Sequence, residues 1–164
     1  MAAENETLTL RSKDGETFEI SQKAAELSTV IKDSMEDDSN DTFEAMRVHS
    51  VCLKKVVEFL KHYESEAMDD IPTPLGGTKF EEIVKQDWYR DFVGTEDRDV
   101  IFDLLTAANY LGIKPLLDLA CLKVTFMLTG KSAEDIRQIL KLPELTPEED
   151  AKARKDHKWI FEDA

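Results

Sequence analysis

Apolar and polar residues alternate twice near the start of the chain, over residues 8–12 (Leu-Thr-Leu-Arg-Ser) and 17–20 (Thr-Phe-Glu-Ile). That period marks a half-buried strand. Between them lies Lys13-Asp14-Gly15-Glu16, and Asp-Gly is the favoured pair for a two-residue hairpin turn because both central positions need positive φ. A third alternating run, residues 42–48, turns Phe43, Ala45 and Val48 to one side. Elsewhere the period is helical. Ser21 is placed to cap a short helix through Ala25 and Leu27, and a second helix follows Ser28 over residues 29–35. Ser50 is the expected cap of a longer helix to about Tyr63, with Cys52, Val56, Phe59, Leu60 and Tyr63 on one face. Residues 64–79 carry prolines and Gly76-Gly77 and read as a mobile loop. Short helical pieces at 80–85 and 88–93 then bring Trp88, Tyr89 and Phe92 to the core.

The longest strongly apolar stretch runs from Ile101 to Leu142 and fits three helices, divided by Gly112 and by Thr129-Gly130-Lys131. In the first, Ile101, Leu104, Leu105, Ala108 and Leu111 cluster on one side at about 100° per residue. Phe102, Thr106, Asn109 and Tyr110 fall on the other, either beneath a neighbouring loop or facing a partner, since aromatics are enriched at interfaces. The middle helix, 115–128, has two apolar stripes: Leu117, Cys121, Val124 and Leu128, and Leu116, Ala120 and Met127. Only Asp118, Lys123 and Thr125 interrupt it. A helix that is apolar all round must be covered all round, and in a chain this short part of the cover is expected from a partner.

Two helix starts follow. Ser132-Ala133-Glu134-Asp135 places acidic residues at the positive end of a helix. Thr146-Pro147-Glu148-Glu149 combines a cap, a proline at the first position and a glutamate at the third. The helix that Thr146 begins has almost no apolar face until Trp159, Ile160 and Phe161, which are expected to anchor it by closing over something.

Charge narrows the function. Asp and Glu number 35 against 21 Lys and Arg, a net charge of -14 over 164 residues. Phosphate binding rests on Lys and Arg, so no nucleic acid is expected, and no anionic membrane surface either. The polar, acidic N-terminus is unlike a signal peptide. Cys52 and Cys121 sit among apolar neighbours and read as reduced core residues. His49, His62 and His157 have no partners at metal-ligand spacing, and Gly76-Gly77 lacks the Gly-Lys-Ser/Thr end of a phosphate loop. Ser12 and Cys121 lack a nearby base in any recognised nucleophile arrangement. The expectation is no catalytic site, no metal and no cofactor.

Taken in order, several blocks resemble one family. Ala107-Ala108-Asn109-Tyr110-Leu111, then Ile113-Lys114, Leu116-Leu117-Asp118 and Cys121, is similar to the S-phase-kinase-associated (Skp-type) adaptors of SCF ubiquitin ligases. So are the 12–19 hairpin, Leu53-Lys54-Lys55-Val56, Trp88 with Phe92, Gly130-Lys131-Ser132, Thr146-Pro147-Glu148-Glu149, Arg154-Lys155 and Trp159. The resemblance covers about residues 7 to 160. It implies an α+β chain with a BTB/POZ fold, a small three-stranded sheet surrounded by helices, and two additional C-terminal helices. It implies a cullin-binding BTB/POZ-type domain over 1–129 and an F-box-binding helical extension over 130–164.

The implied role is that of a non-catalytic adaptor in ubiquitin-dependent degradation, bridging a cullin scaffold to F-box proteins and, indirectly, to a RING protein and an E2. Carried over by position, Asn109 and Tyr110 face the cullin. Leu117, Cys121, Val124, Leu128, Ile136, Leu140, Leu142 and Trp159 face the F-box. A cytoplasmic and nuclear location and weak homodimerisation of the free protein are further expectations. Pro147 stands in a context resembling a proline that is hydroxylated and glycosylated in some protist members, beside its plain reading as a helix-start residue.

The chain departs from the family pattern at 72–77 and in an added segment at 80–84. Two rivals share the fold. Elongin C also carries an Ala-Asn-Tyr-Leu-type helix but ends before the last two helices, and a self-associating BTB domain would be expected to carry a further DNA-binding or membrane module.

Overall fold

In the computed structural model, which describes residues 7–37 and 41–160, β1 (Thr7–Ser12) and β2 (Thr17–Ser21) pair antiparallel with Leu10 opposite Phe18. The acidic run at residues 36–41 reads in the sequence as a solvated connecting loop; its residues 38–40, and the expected anchor residue Phe161, lie outside the described residues. The turn differs from the sequence expectation. The Ser12 N–H donates to the Glu16 carbonyl at 2.8 Å, so Lys13, Asp14 and Gly15 form a three-residue loop. Gly15 takes φ +88° and Asp14 does not turn left-handed. A three-residue loop ending on a left-handed glycine matches the strand twist with one such residue instead of two. β3 (Thr42–Ala45) runs parallel to β1 on its other side, giving the order β2-β1-β3.

Two short helices connect β2 to β3. In α1 (Gln22–Ala25) the Ser21 hydroxyl oxygen accepts the Ala24 N–H at 3.1 Å, as expected of a cap. At the start of α2 (Thr29–Asp37), buried Ser28 accepts the Ile31 N–H at 3.1 Å and donates its own proton to the Leu111 carbonyl, 83 residues on.

The long helix α3 (Ser50–Ser65) starts differently from its prediction. Ser50 is the first helical residue rather than the cap, and His49, in the cap position, makes no side-chain bond there. Asp14 of the hairpin loop supplies the acceptors: its carboxylate takes the Ser50 N–H at 2.7 Å and the Ser50 hydroxyl at 2.5 Å. The buried face of α3 is Leu53, Val56, Val57, Phe59 and Leu60, with Cys52 and Tyr63 at its edge.

After the 66–79 loop come α4 (Phe80–Ile83), α5 (Asp87–Gly94), α6 (Arg98–Leu111) and α7 (Lys114–Leu128). Tyr89 and Phe92 enter the core and meet Phe59 at 5.7 and 5.8 Å between ring centroids. Trp88 stays half-buried, stacked on His62 at 3.8 Å and on Phe92 at 4.9 Å. Gln86 ties down the start of the loop, accepting the Asp69 N–H and donating to the Ala67 carbonyl.

Gly112 joins α6 to α7 at φ +65°. The Ile113 N–H reaches back to the Ala108 carbonyl at 2.9 Å and the Gly112 N–H to that of Asn109 at 3.3 Å, the paired bonds that close a helix on a left-handed residue.

The chain divides into two compact units, Met1–Met127 and Leu128–Ala164. The first holds the sheet and the core. The second holds α8 (Ala133–Ile139), α9 (Pro147–Asp156) and a 3-10 turn (Lys158–Ile160), and none of its described residues is buried. Local bonds shape it instead. Ser132 with Asp135 and Thr146 with Glu149 form reciprocal caps, each of which stabilises a helix start by about 1 kcal/mol. α8 ends on Lys141 at φ +53°, with Leu142 N–H bonded to the Arg137 carbonyl at 2.9 Å.

The Ser50 hydroxyl and N–H hold the Asp14 carboxyl down at about 2, from an ordinary 3.8. A depressed folded value stabilises the fold above the unfolded value, and that contribution is lost as pH falls through the folded one. Asp14→Ala is therefore expected to melt below the wild type at pH 7, with the gap closing as the pH falls from about 4 towards 2. Thermal melts followed by circular dichroism check this, and a gap independent of pH would contradict the cap.

Candidate functional site

The surface of the first unit carries two faces, set by the turn at Gly112. α6 buries Ile101, Leu104, Ala107, Ala108 and Leu111, while Leu105 is only half-buried. Its other side leaves Thr106 and Asn109 exposed and Phe102 and Tyr110 half-exposed. The Arg47 guanidinium stands over the Tyr110 ring, 5.6 Å from its centroid. Arg47, His49 and Cys52 join Asp103, Asn109 and Tyr110 around a cleft of about 250 Å³. A cation over a ring face fixes the ring and offers a positive edge.

α7 buries Leu116, Leu119, Ala120 and Leu122. The stripe that looked uncovered in the sequence is the outer one: Leu117, Val124 and Leu128 are half-buried and Cys121 is exposed. This corrects the expectation that Cys121 is a core residue. Both cysteines are free. Burial pushes the Cys52 thiol up to about 11, with Asp103 adding to the shift and Lys55 opposing it; partial burial and then Asp118 raise that of Cys121.

The chain itself covers one flank of α7. Phe80 of α4 meets Phe126 edge-on at 5.8 Å, and the Lys123 ammonium lies 5.7 Å from the centre of the Phe80 ring. The other interruptions are also satisfied. Lys114 and Asp118 pair at 2.5 Å, which raises the lysine, and the Thr125 hydroxyl donates to the Cys121 carbonyl at 2.9 Å.

In the second unit, Ile136 and Leu140 are half-buried, Leu142 is 54% exposed and Trp159 is 72% exposed. Ile136, Leu142 and Leu145 line an apolar hollow of about 370 Å³ with Pro143. Pro147 is exposed at the first position of α9.

Asn109 and Tyr110 thus lie together on α6, and Leu117, Cys121 and Val124 lie together on α7. Arg47 and Leu145 were missed in the sequence reading. A ring contact between residues 63 apart leaves no periodic trace, although an apolar Leu145 just before the Thr146 cap is the sort of position that packs at a helix entry. Among the described residues, no group of three or more His, Cys, Asp or Glu is placed to hold a metal ion, and no helix is long and apolar enough to cross a membrane.

Comparison with known proteins gives two family matches. Residues 6–65 match the model described as Skp1 family, tetramerisation domain, and residues 114–160 match Skp1 family, dimerisation domain. The chain is 38% identical to SKP1-like protein 20 of Oryza sativa subsp. japonica, over 99% of this chain and 100% of that one. It is 37% identical to SCF ubiquitin ligase complex protein SKP1a of Dictyostelium discoideum, over 92% and 93% of the two chains. It is 35% identical to E3 ubiquitin ligase complex SCF subunit sconC of Aspergillus fumigatus, over 95% and 99%.

The different exposure of the two thiols has a direct readout. A maleimide in excess is expected to label Cys121 in a fast phase and Cys52 slowly, since attack needs an accessible thiolate. The Cys121→Ser protein should keep only the slow phase. Equal rates for both thiols would contradict the placement of α7.

Proposed function

We infer the function from one premise: this chain belongs to the Skp1 family. It is an adaptor subunit of an SCF-type E3 ubiquitin ligase. In finer terms, we propose that it is non-catalytic and binds a cullin scaffold on one face and F-box substrate receptors on others, so that ubiquitin is transferred by the RING protein and E2 that the cullin brings. Asn109 and Tyr110 are the cullin-facing pair, with Arg47 holding the tyrosine ring. Leu117, Cys121, Val124 and Leu128 on α7, and Ile136, Leu140, Leu142 and Trp159 beyond it, bind the F-box. The protein works in the cytoplasm and nucleus. Pro147 presents an exposed ring to any prolyl-modifying enzyme.

The observation that carries this reading is the absence of any buried residue among the described residues of the second unit. Units this small lack a stable core of their own. Exposed leucine, isoleucine and tryptophan side chains on such a unit gain the burial they lack by docking on a partner, and a large exposed tryptophan is the kind of residue that dominates interface energies. The same surfaces account for the expected weak self-association of the free protein.

Two variants separate the faces. The double substitution Asn109→Lys with Tyr110→Lys is expected to weaken cullin binding by more than about 2 kcal/mol, some thirtyfold, and to leave F-box affinity unchanged. Removing residues 146–164 is expected to do the reverse. Titration calorimetry with a recombinant cullin N-terminal domain and with an F-box domain checks both. Unchanged F-box affinity in the truncated chain would overturn the clamp, and loss of both partners in the double variant would point to unfolding instead.

A further inference from the structure

The loop between α3 and α4 adds a feature to the α7 face that the adaptor reading does not assign. Ile71 packs against the core, and Leu75 remains 43% exposed. Together with Cys121 and buried Leu122 of α7, these two loop residues enclose a cleft of about 270 Å³. Three of its polar members already have partners, and the fourth, Thr73, is exposed. Asp118 is paired with Lys114 at 2.5 Å, and Thr125 is bonded to the Cys121 carbonyl at 2.9 Å. Beside these polar groups, Ile71, Leu75, Leu122 and Cys121 offer a visitor carbon and sulfur. A volume below the range of about 300–1,000 Å³ usual for small-molecule and cofactor pockets suits one apolar side chain.

Position names the visitor. Cys121 belongs both to this cleft and to the outer stripe of α7. At 3.6 residues per turn, Leu117, Cys121 and Val124 form a continuous row. A partner helix lying along that row passes the mouth of the cleft. We propose that the 71–75 loop is a selectivity element: Ile71 and Leu75, with Cys121, receive one apolar side chain of the F-box partner lying along Leu117, Cys121 and Val124. This rests on the adaptor reading above.

The test uses the full chain and a recombinant F-box domain in titration calorimetry, with circular dichroism to confirm folding. Leu75→Ser is expected to weaken binding about tenfold, the size of a single moderate hot spot. The milder Leu75→Ala should lose less, and Val51→Ser, exposed on α3 away from the cleft, should lose nothing. Leu117→Lys should abolish binding. If Leu117→Lys abolishes binding while both Leu75 variants bind as the wild type does, the loop inference is overturned and the adaptor reading stands. If Leu117→Lys also binds normally, or the wild type does not bind, the α7 face itself is wrong and both readings fail. If Leu75→Ser changes only self-association in size-exclusion chromatography, the cleft serves a second copy of the chain and the inference is likewise overturned.

Discussion

A β-carbon at Gly112 would meet the Thr29 hydroxyl, and φ +65° strains any residue that carries one, so the junction between α6 and α7 is built for glycine. The glycine is held left-handed, the Thr29 N–H points to its carbonyl at 3.4 Å, and the Ser28 hydroxyl reaches the carbonyl of Leu111 beside it. Two helices and the start of a third are thereby clasped at one point by backbone groups that would otherwise be the unsatisfied ends of α6. The direction of α7 relative to α6 follows from this clasp. So does the separation of the Asn109–Tyr110 face from the Leu117–Cys121–Val124 face. In the first unit the relation between these two faces is set by one small turn.

The second unit solves a different problem. Without buried residues, it draws its order from local bonds: Ser132 against Asp135, Thr146 against Glu149, and a left-handed Lys141 that lets Leu142 N–H return to the Arg137 carbonyl. Hydrogen bonding holds the Asp135 and Glu149 carboxyls below their ordinary values, so the caps are charged and strongest at neutral pH. Preformed helix starts reduce the ordering cost that a partner would otherwise have to offset on binding. They also leave the apolar side chains free to be covered.

The hairpin, the three strands and the helices were legible in the sequence because each is encoded by a short period or a local cap. What was misread involves residues far apart. A hydrogen bond from the Ser50 N–H to the Asp14 carboxylate of the hairpin loop, 36 residues away, moved the start of α3 to Ser50 and gave Asp14 a task that no dipeptide statistic contains. The turn became a three-residue loop for a related reason, since Asp14 is kept out of the left-handed region. Cys121 looked like core because its neighbours are apolar, but on a helix the neighbour in sequence faces another way. The α7 stripe was legible as surplus, since no local partner could be named for it. The cation over Tyr110 and the loop against Cys121 were not legible, because they depend on how separate elements pack.

The polar residues of α7 decide what it would cost to cover its outer stripe. A donor or acceptor stripped of water and left unpaired costs about 1–3 kcal/mol, and three of them on one helix would cancel much of the gain from covering four apolar side chains. Here two of the three have hydrogen-bonding partners, and the third, Lys123, sets its charge against a ring. Asp118 already has Lys114, Lys123 already lies over Phe80, and the Thr125 hydroxyl is already bonded to its own helix. Covering the stripe would strip water chiefly from carbon and sulfur, with these pairs left in place. The face is therefore largely apolar although it is interrupted in sequence.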